Sequence, residues 1–144
     1  MNYLADVNLW IALVADQHVH HPASDPMVSE SWRRQTCILP HYANGLSAAV
    51  DEQARHAGGG RELSPSMGTY RALRSDWRIQ YLAEPSELAE LWHSFTLGRA
   101  TSPNIWTDAY LCAFVHAAGS TLVTFDAKIP KRPDVSCLIL AGSP

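Results

Sequence analysis

The sequence predicts an α/β protein, a three-layer α/β/α sandwich around a mainly parallel central sheet. Three observations predict it. Short apolar segments alternate with helical patterns along the chain, as strands and crossover helices do. The run Thr121-Leu122-Val123-Thr124-Phe125 is continuous enough for a strand covered on both faces. Ile105 to Ala118 is apolar nearly all round, which marks a buried helix. At 144 residues the chain suits a single domain, 1–144, with one core.

Taken in order, Tyr3-Leu4-Ala5 is a short strand ending at Asp6, and Val7 to Ala15 is a helix without breakers. Pro22 to Arg34 forms a second, amphipathic helix with Pro22 at its start. Thr36 to Leu39 is a buried strand, and after Pro40 the residues Tyr42, Leu46, Ala49 and Val50 fall at helical spacing until Gly58-Gly59-Gly60. A helix over 67–75 and a strand over Ile79 to Leu82 follow. Ser86 is the expected N-cap of a helix whose face is Leu88, Leu91, Trp92 and Phe95. Gly98 to Pro103 is a loop before the buried helix, in which Thr107 is the expected N-cap. Cys137 to Leu140 supplies the last strand. There are no internal repeats or low-complexity tracts.

Composition narrows the function. Eleven Lys and Arg against fourteen Asp and Glu give a formal charge of −3, which excludes a broadly basic surface for nonspecific duplex binding. Contact with nucleic acid then rests on a local patch or a metal. No apolar run approaches the ~18 residues of a membrane span, and Leu9 to Ala15 follows an acid without a basic leader, so a cytoplasmic protein is expected. Cys37, Cys112 and Cys137 are far apart and are read as three buried thiols outside any disulfide.

In an α/β sheet, ligands bind where strands end. Asp6 follows the first strand, Asp126 follows the Thr121–Phe125 strand, and Asp108 lies in the first turns of the helix leading into that strand. All three can meet at one edge. Carboxylates brought together repel unless a hard cation neutralises them, and Mg²⁺ or Mn²⁺ suits an all-oxygen site. Each acid alone also has a structural reading: Asp6 as a helix cap, Asp108 at the positive end of its helix, Asp126 opening a turn with Ala127-Lys128. Asp108 weighs most, because Ala109 to Ala118 carries only His116 among Asp, Glu, Lys, Arg and His, and a carboxylate heading a buried helix needs a partner or water.

Asp6-Val7-Asn8-Leu9-Trp10, His18 to His21, the stretch Ser102-Pro103-Asn104-Ile105-Trp106-Thr107-Asp108-Ala109-Tyr110-Leu111, and Leu122-Val123-Thr124-Phe125-Asp126 together resemble the PIN domain, specifically VapC-type toxins of bacterial toxin–antitoxin pairs. The resemblance covers nearly the whole chain, Glu84-Pro85 and the Leu/Trp helix included. Its specific part is Trp-Thr-Asp-Ala-Tyr-Leu followed by Val-Thr-Phe-Asp. It implies a PIN-like fold and a Mg²⁺- or Mn²⁺-dependent endoribonuclease that hydrolyses RNA, leaving a 5′-phosphate and a 3′-hydroxyl. It also implies a homodimer neutralised by a cognate VapB-like antitoxin. By the same resemblance Asp6, Asp108 and Asp126 are the catalytic, metal-binding acids. Asn8 and Thr124 support them by holding a carboxylate or water in place.

One departure stands out. Many PIN domains carry a further acid at the start of the helix after the second strand, where this chain reads Pro40-His41-Tyr42-Ala43-Asn44-Gly45. Asp51 lies about 10 Å along the axis from Asn44, at ~1.5 Å per residue, too far to replace that acid. The alternative function is therefore a catalytically weakened PIN-like domain that binds RNA or antitoxin. A phosphohydrolase with Asp6 as nucleophile needs a second acid at position 8, where Asn8 stands. Gly58-Gly59-Gly60 lacks the Gly-Lys-Ser/Thr of a phosphate loop.

The remaining motifs have plainer readings. His18, His20 and His21 have no second half for a zinc site. Arg55, Arg61, Arg71, Arg74 and Arg78 make a locally positive stretch, read as an RNA-facing patch, a solvated helix face or a surface for an acidic antitoxin segment. Lys128, Lys131 and Arg132 follow Asp126 and are placed to meet phosphate near the site. Trp10, Trp32, Trp77, Trp92 and Trp106 are read as core or interface residues rather than base-stacking ones.

Overall fold

The computed structural model describes residues 2–14, 37–39, 71–98, 103–129 and 132–140. The expectations on helix 22–34, the helix after Pro40 with Asn44 and Asp51, the histidine cluster, the glycine run, Trp32, Arg55, Arg61 and Lys131 lie outside these residues. Among those described, the elements are β1 (Tyr3–Ala5), α1 (Val7–Val14), β2 (Cys37–Leu39), β3 (Ile79–Tyr81), α2 (Leu88–Thr96), α3 (Pro103–Ala117), β4 (Thr121–Thr124) and β5 (Ser136–Ile139). Residues 71–75 are helical ahead of β3.

The five strands form one sheet in the order β3-β2-β1-β4-β5, and every pairing is parallel. The chain builds outward from β1 to β2 and β3, then crosses back to lay β4 on the other side of β1. That reversal puts a topological switch point between β1 and β4, the place where parallel α/β sheets bind their ligands; α1 leaves the end of β1 and a turn leaves the end of β4.

Pleat alternation sorts the core into two layers. Leu4 and Leu122 pack with Leu111, Cys112, Phe114 and Val115 of α3 and Leu88 of α2. Their neighbours Ala5 and Val123 pack with Leu9 and Trp10 of α1. Helices therefore cover both sheet faces, as the fold class requires. On α2 the expected face holds, with Leu88 buried and Leu91, Trp92 and Phe95 packed against the α3 layer.

Three local expectations are corrected. Pro103 opens α3, so Thr107 lies inside the helix and is exposed; proline at the first helical position needs no amide partner and sets φ for the helix. Helix α2 is capped at Glu87 without a side-chain bond, and Ser86 sits in the turn before it. Of the thiols, Cys112 is buried but Cys137 is exposed, because β5 is an edge strand whose first three residues face solvent.

Phe114 is fully buried at the centre of the α3 layer. Phe114→Ala is expected to cost about 3–5 kcal/mol of stability, measured by urea unfolding. A loss below about 1 kcal/mol would mean that α3 does not organise the core.

Candidate active site at the strand-end edge

Asp6 is the first residue beyond β1, and its amide still extends the ladder, donating to the Val123 carbonyl at 2.9 Å. Since Ala5 is in register with Val123, Asp6 stands opposite Thr124. Their side chains meet: the Thr124 hydroxyl donates to Asp6 Oδ2 at 2.8 Å. The same hydroxyl accepts the Asp126 amide at 3.0 Å. Thr124 thus ties the acid after β1 to the loop carrying the acid after β4. It is completely buried, so both bonds are sheltered from competing water.

Asp6 is itself 9% exposed. Burial raises its pKa, opposed by the Thr124 bond and by the amides of Val7 and Asn8, with the charge of Asp126 adding to the rise. Those amides show that Asp6 also caps α1, whose next amides, Leu9 and Trp10, bond the Asp6 carbonyl. The capping and site readings of Asp6 describe one geometry. Asn8 contributes its amide to Asp6, while its side chain is exposed.

Asp126 is half-buried, and its Oδ1 accepts the Lys128 amide at 2.7 Å, the turn anticipated from Asp126-Ala127-Lys128. Asp108 is half-buried and heads the stripe Leu111, Cys112 and Val115, which faces the sheet. Measured back from the turn after Ala117, Asp108 lies about 13 Å up α3. Asp126 lies two residues beyond the end of β4, at the same end of the molecule. Alternation along β1 puts Asp6 on the sheet face of Leu4, which is the face α3 covers. Asp6 and the Asp108 stripe therefore lie on the same side of the sheet, and Asp126 is near enough for its charge to add to the rise in the Asp6 pKa. Among the described residues no three His, Cys, Asp or Glu side chains are gathered tightly enough to form a finished metal cage.

Sequence reasoning gives Glu84 no role at the site, yet it also follows a strand, and its Oε1 accepts the Tyr110 hydroxyl at 2.5 Å. An acid just beyond a strand end was the available signal, the same one that marks Asp6 and Asp126. Arg132 was expected near phosphate, but it donates to the Phe95 carbonyl and lies 4.0 Å over the Phe95 ring. Arg78 is bound to Asp76 and holds that carboxyl below its ordinary pKa; of the positive stretch among the described residues, Arg71 and Arg74 are exposed. Trp10 is buried as expected, whereas Trp77 and Trp106 are 82% and 53% exposed.

No family model matches the chain. Ribonuclease VapC41 of Mycobacterium tuberculosis is 31% identical over 149 residues, covering 96% of this chain and 98% of the relative. The chain belongs to the VapC family. Two solved structures carry the same fold at low identity. VapBC2 from Rickettsia felis, bound to a DNA fragment from its promoter, has a TM-score of 0.69 at 12% identity and covers 98% of this chain and 100% of its own. Mycobacterium tuberculosis VapC20, a sarcin–ricin loop cleaving toxin, has a TM-score of 0.60 at 14% identity, covering 88% and 92%. The PIN-type α/β fold expected for a VapC protein is thus the fold observed.

The donors fit a hard divalent cation in kind. All are carboxylates, and Asp6 is held where its negative charge is least comfortable until a cation offsets it. Without one, the folded chain binds the Asp6 proton more tightly than the unfolded chain does. Stability from this group is then greatest at low pH and falls as pH rises from the ordinary 3.8 through the raised folded value. In EDTA at pH 7, Asp6→Asn, which keeps the cap and the Thr124 bond, is expected to raise the unfolding temperature by roughly 2–5 °C. Scanning calorimetry should show the two proteins converging below about pH 4. A lower unfolding temperature for Asp6→Asn at pH 7 would mean that the charge of Asp6 is already compensated.

Proposed function

We propose that this VapC family member is a metal-dependent endoribonuclease toxin that hydrolyses RNA phosphodiester bonds and is neutralised by a cognate VapB-like antitoxin. The observation that carries the reading is the Thr124-linked pair of Asp6 and Asp126 at the switch point. The relatives support it: the curated one is named a ribonuclease, VapC20 is described as cleaving the sarcin–ricin loop, and VapBC2 is described on promoter DNA. A homodimer acting in the cytoplasm belongs to the same proposal. Among the described residues no helix is long and apolar enough to cross a membrane.

Asp6, Asp108 and Asp126 would hold Mg²⁺ or Mn²⁺. When bound, the cation supplies Lewis-acid polarisation of the phosphate and lowers the pKa of a water. Asp6 is the fixed member, held by Thr124 and two amides, so it sets where the others must come. Asp108 and Asp126, both half-buried, would supply the other two carboxylates, with Asp126 Oδ1 already held by the Lys128 amide. One carboxylate of the three accepts the proton of the attacking water. Thr124 keeps Asp6 aligned and ionised by donating to it. Asn8 supports the same carboxylate through its amide.

The looser spacing of the acids favours one second reading, a weakened PIN domain that binds RNA or antitoxin without cutting. Antitoxin-free protein incubated with total RNA and Mn²⁺ separates the two, with the new RNA ends sequenced. Cleavage is expected with the wild-type chain, lost in EDTA and restored by Mn²⁺. It should fall by about 100-fold or more in Asp6→Asn and Asp108→Asn. RNA binding by the wild-type chain without any cleavage would establish the second reading.

A further inference from the structure

Two tryptophans are largely exposed, and the parallel sheet separates them. Trp77 precedes β3 and so lies at the strand-start edge, away from the acids. Trp106 lies in the first turns of α3, only ~3 Å along the axis from Asp108, at the strand-end edge. An exposed indole costs the fold apolar burial that a smaller polar residue would not forfeit.

Trp106 is exposed but not loose. The Trp92 indole N–H donates to its backbone carbonyl at 2.9 Å, and the Trp92 ring stands edge-on to the Trp106 ring, centroids 6.1 Å apart at 87°. Trp92 is braced in turn by Tyr110, edge-on at 5.5 Å, and the Tyr110 hydroxyl is fixed on Glu84. The result is a rigid aromatic surface at the strand-end edge, on the side of α3 opposite Asp108. A preorganised ring of that kind loses little conformational freedom when a flat partner lies on it.

We propose that Trp106 is a base-stacking platform that engages single-stranded RNA at the strand-end edge that carries the acids; the inference rests on the ribonuclease reading. Residues two apart on a helix project to opposite sides, so Trp106 and Asp108 are separated by about one helix diameter, ~10 Å. That spacing suits a base flanking the cleaved linkage rather than the nucleotide being cut. With a net −3, little affinity comes from bulk electrostatics, and Lys128, exposed two residues past Asp126, offers only a local phosphate contact. Stacking adds affinity that does not depend on charge and tolerates any base.

The test uses the full chain carrying Asp126→Asn to block cleavage, and two labelled probes: a ten-nucleotide RNA of random sequence, and a ribose–phosphate strand of equal length without bases. Trp106→Ala is expected to weaken binding of the base-bearing strand on the order of ten-fold and to leave the abasic strand within about two-fold, while Trp106→Phe retains most of the affinity. In the cleaving background, KM should rise by the same factor with little change in kcat. Equal losses on both probes, no loss, or a Phe variant as weak as Ala would overturn the proposal. So would a shift of Trp106→Ala in gel filtration, which would assign the ring to a contact between copies. If the wild-type chain binds RNA but does not cut it, the nuclease reading fails while the probe comparison still decides the role of Trp106. If neither probe binds at all, both readings fall.

Discussion

The hydrogen bond from the buried Thr124 hydroxyl to Asp6 is the constraint on which the site depends. It spans the junction of β1 and β4, the two strands between which the chain reverses its direction of sheet growth. A carboxylate there is desolvated by α1 and the sheet, and an unsupported one would take up a proton. Thr124 resists that by donating, and with its lone pair it also anchors the Asp126 amide. Serine would supply the same hydroxyl with a freer rotor; the β-branch of threonine limits χ1 and suits the strand. Valine would keep the shape and leave both partners unmet.

The same geometry explains why structural and chemical readings of the three acids are not rivals. Asp6 caps α1 because a strand–turn–helix junction needs an acceptor for the first amides. That junction is also the place where a parallel sheet exposes its binding crevice. Asp126 closes a turn onto Lys128 for a similar reason, at the end of the neighbouring strand. At a position where the backbone already needs an acceptor, the capping bonds offset part of the cost of burying a charged ligand.

Much of this was legible in the residues. Continuous apolar runs located β1 and β4, and an acid directly after each pointed to the crevice, since the alternation of strands and helices implied a parallel sheet. Asp108 was legible because a lone acid heading an apolar helix has few structural excuses. Exposure was less legible. Helix α3 is apolar on nearly every side, so its pattern does not show which side is wet, and Trp106 reads like Trp10, although one is 53% and the other 2% exposed. Cys137 looks like a core thiol until the strand order places it on an edge. Glu84 is missed because its partner, Tyr110, lies 26 residues away, and no local spacing encodes that contact. The start of α3 was misjudged for a different reason: Pro103 serves as its first residue, whereas proline in a sequence is more readily taken for a loop.

The way the groups at the strand-end edge are held has a consequence for how an acidic protein handles a polyanion. Asp6 is held by Thr124 and the amides of Val7 and Asn8, Asp126 by the Lys128 amide on its Oδ1, and Trp106 by Trp92. The repulsion of Asp6 by Asp126 is therefore borne by the fold until a cation offsets it. On the proposed reading, affinity for RNA comes from the cation and the Trp106 surface rather than from the surface field, so the net charge of −3 does not oppose the reaction.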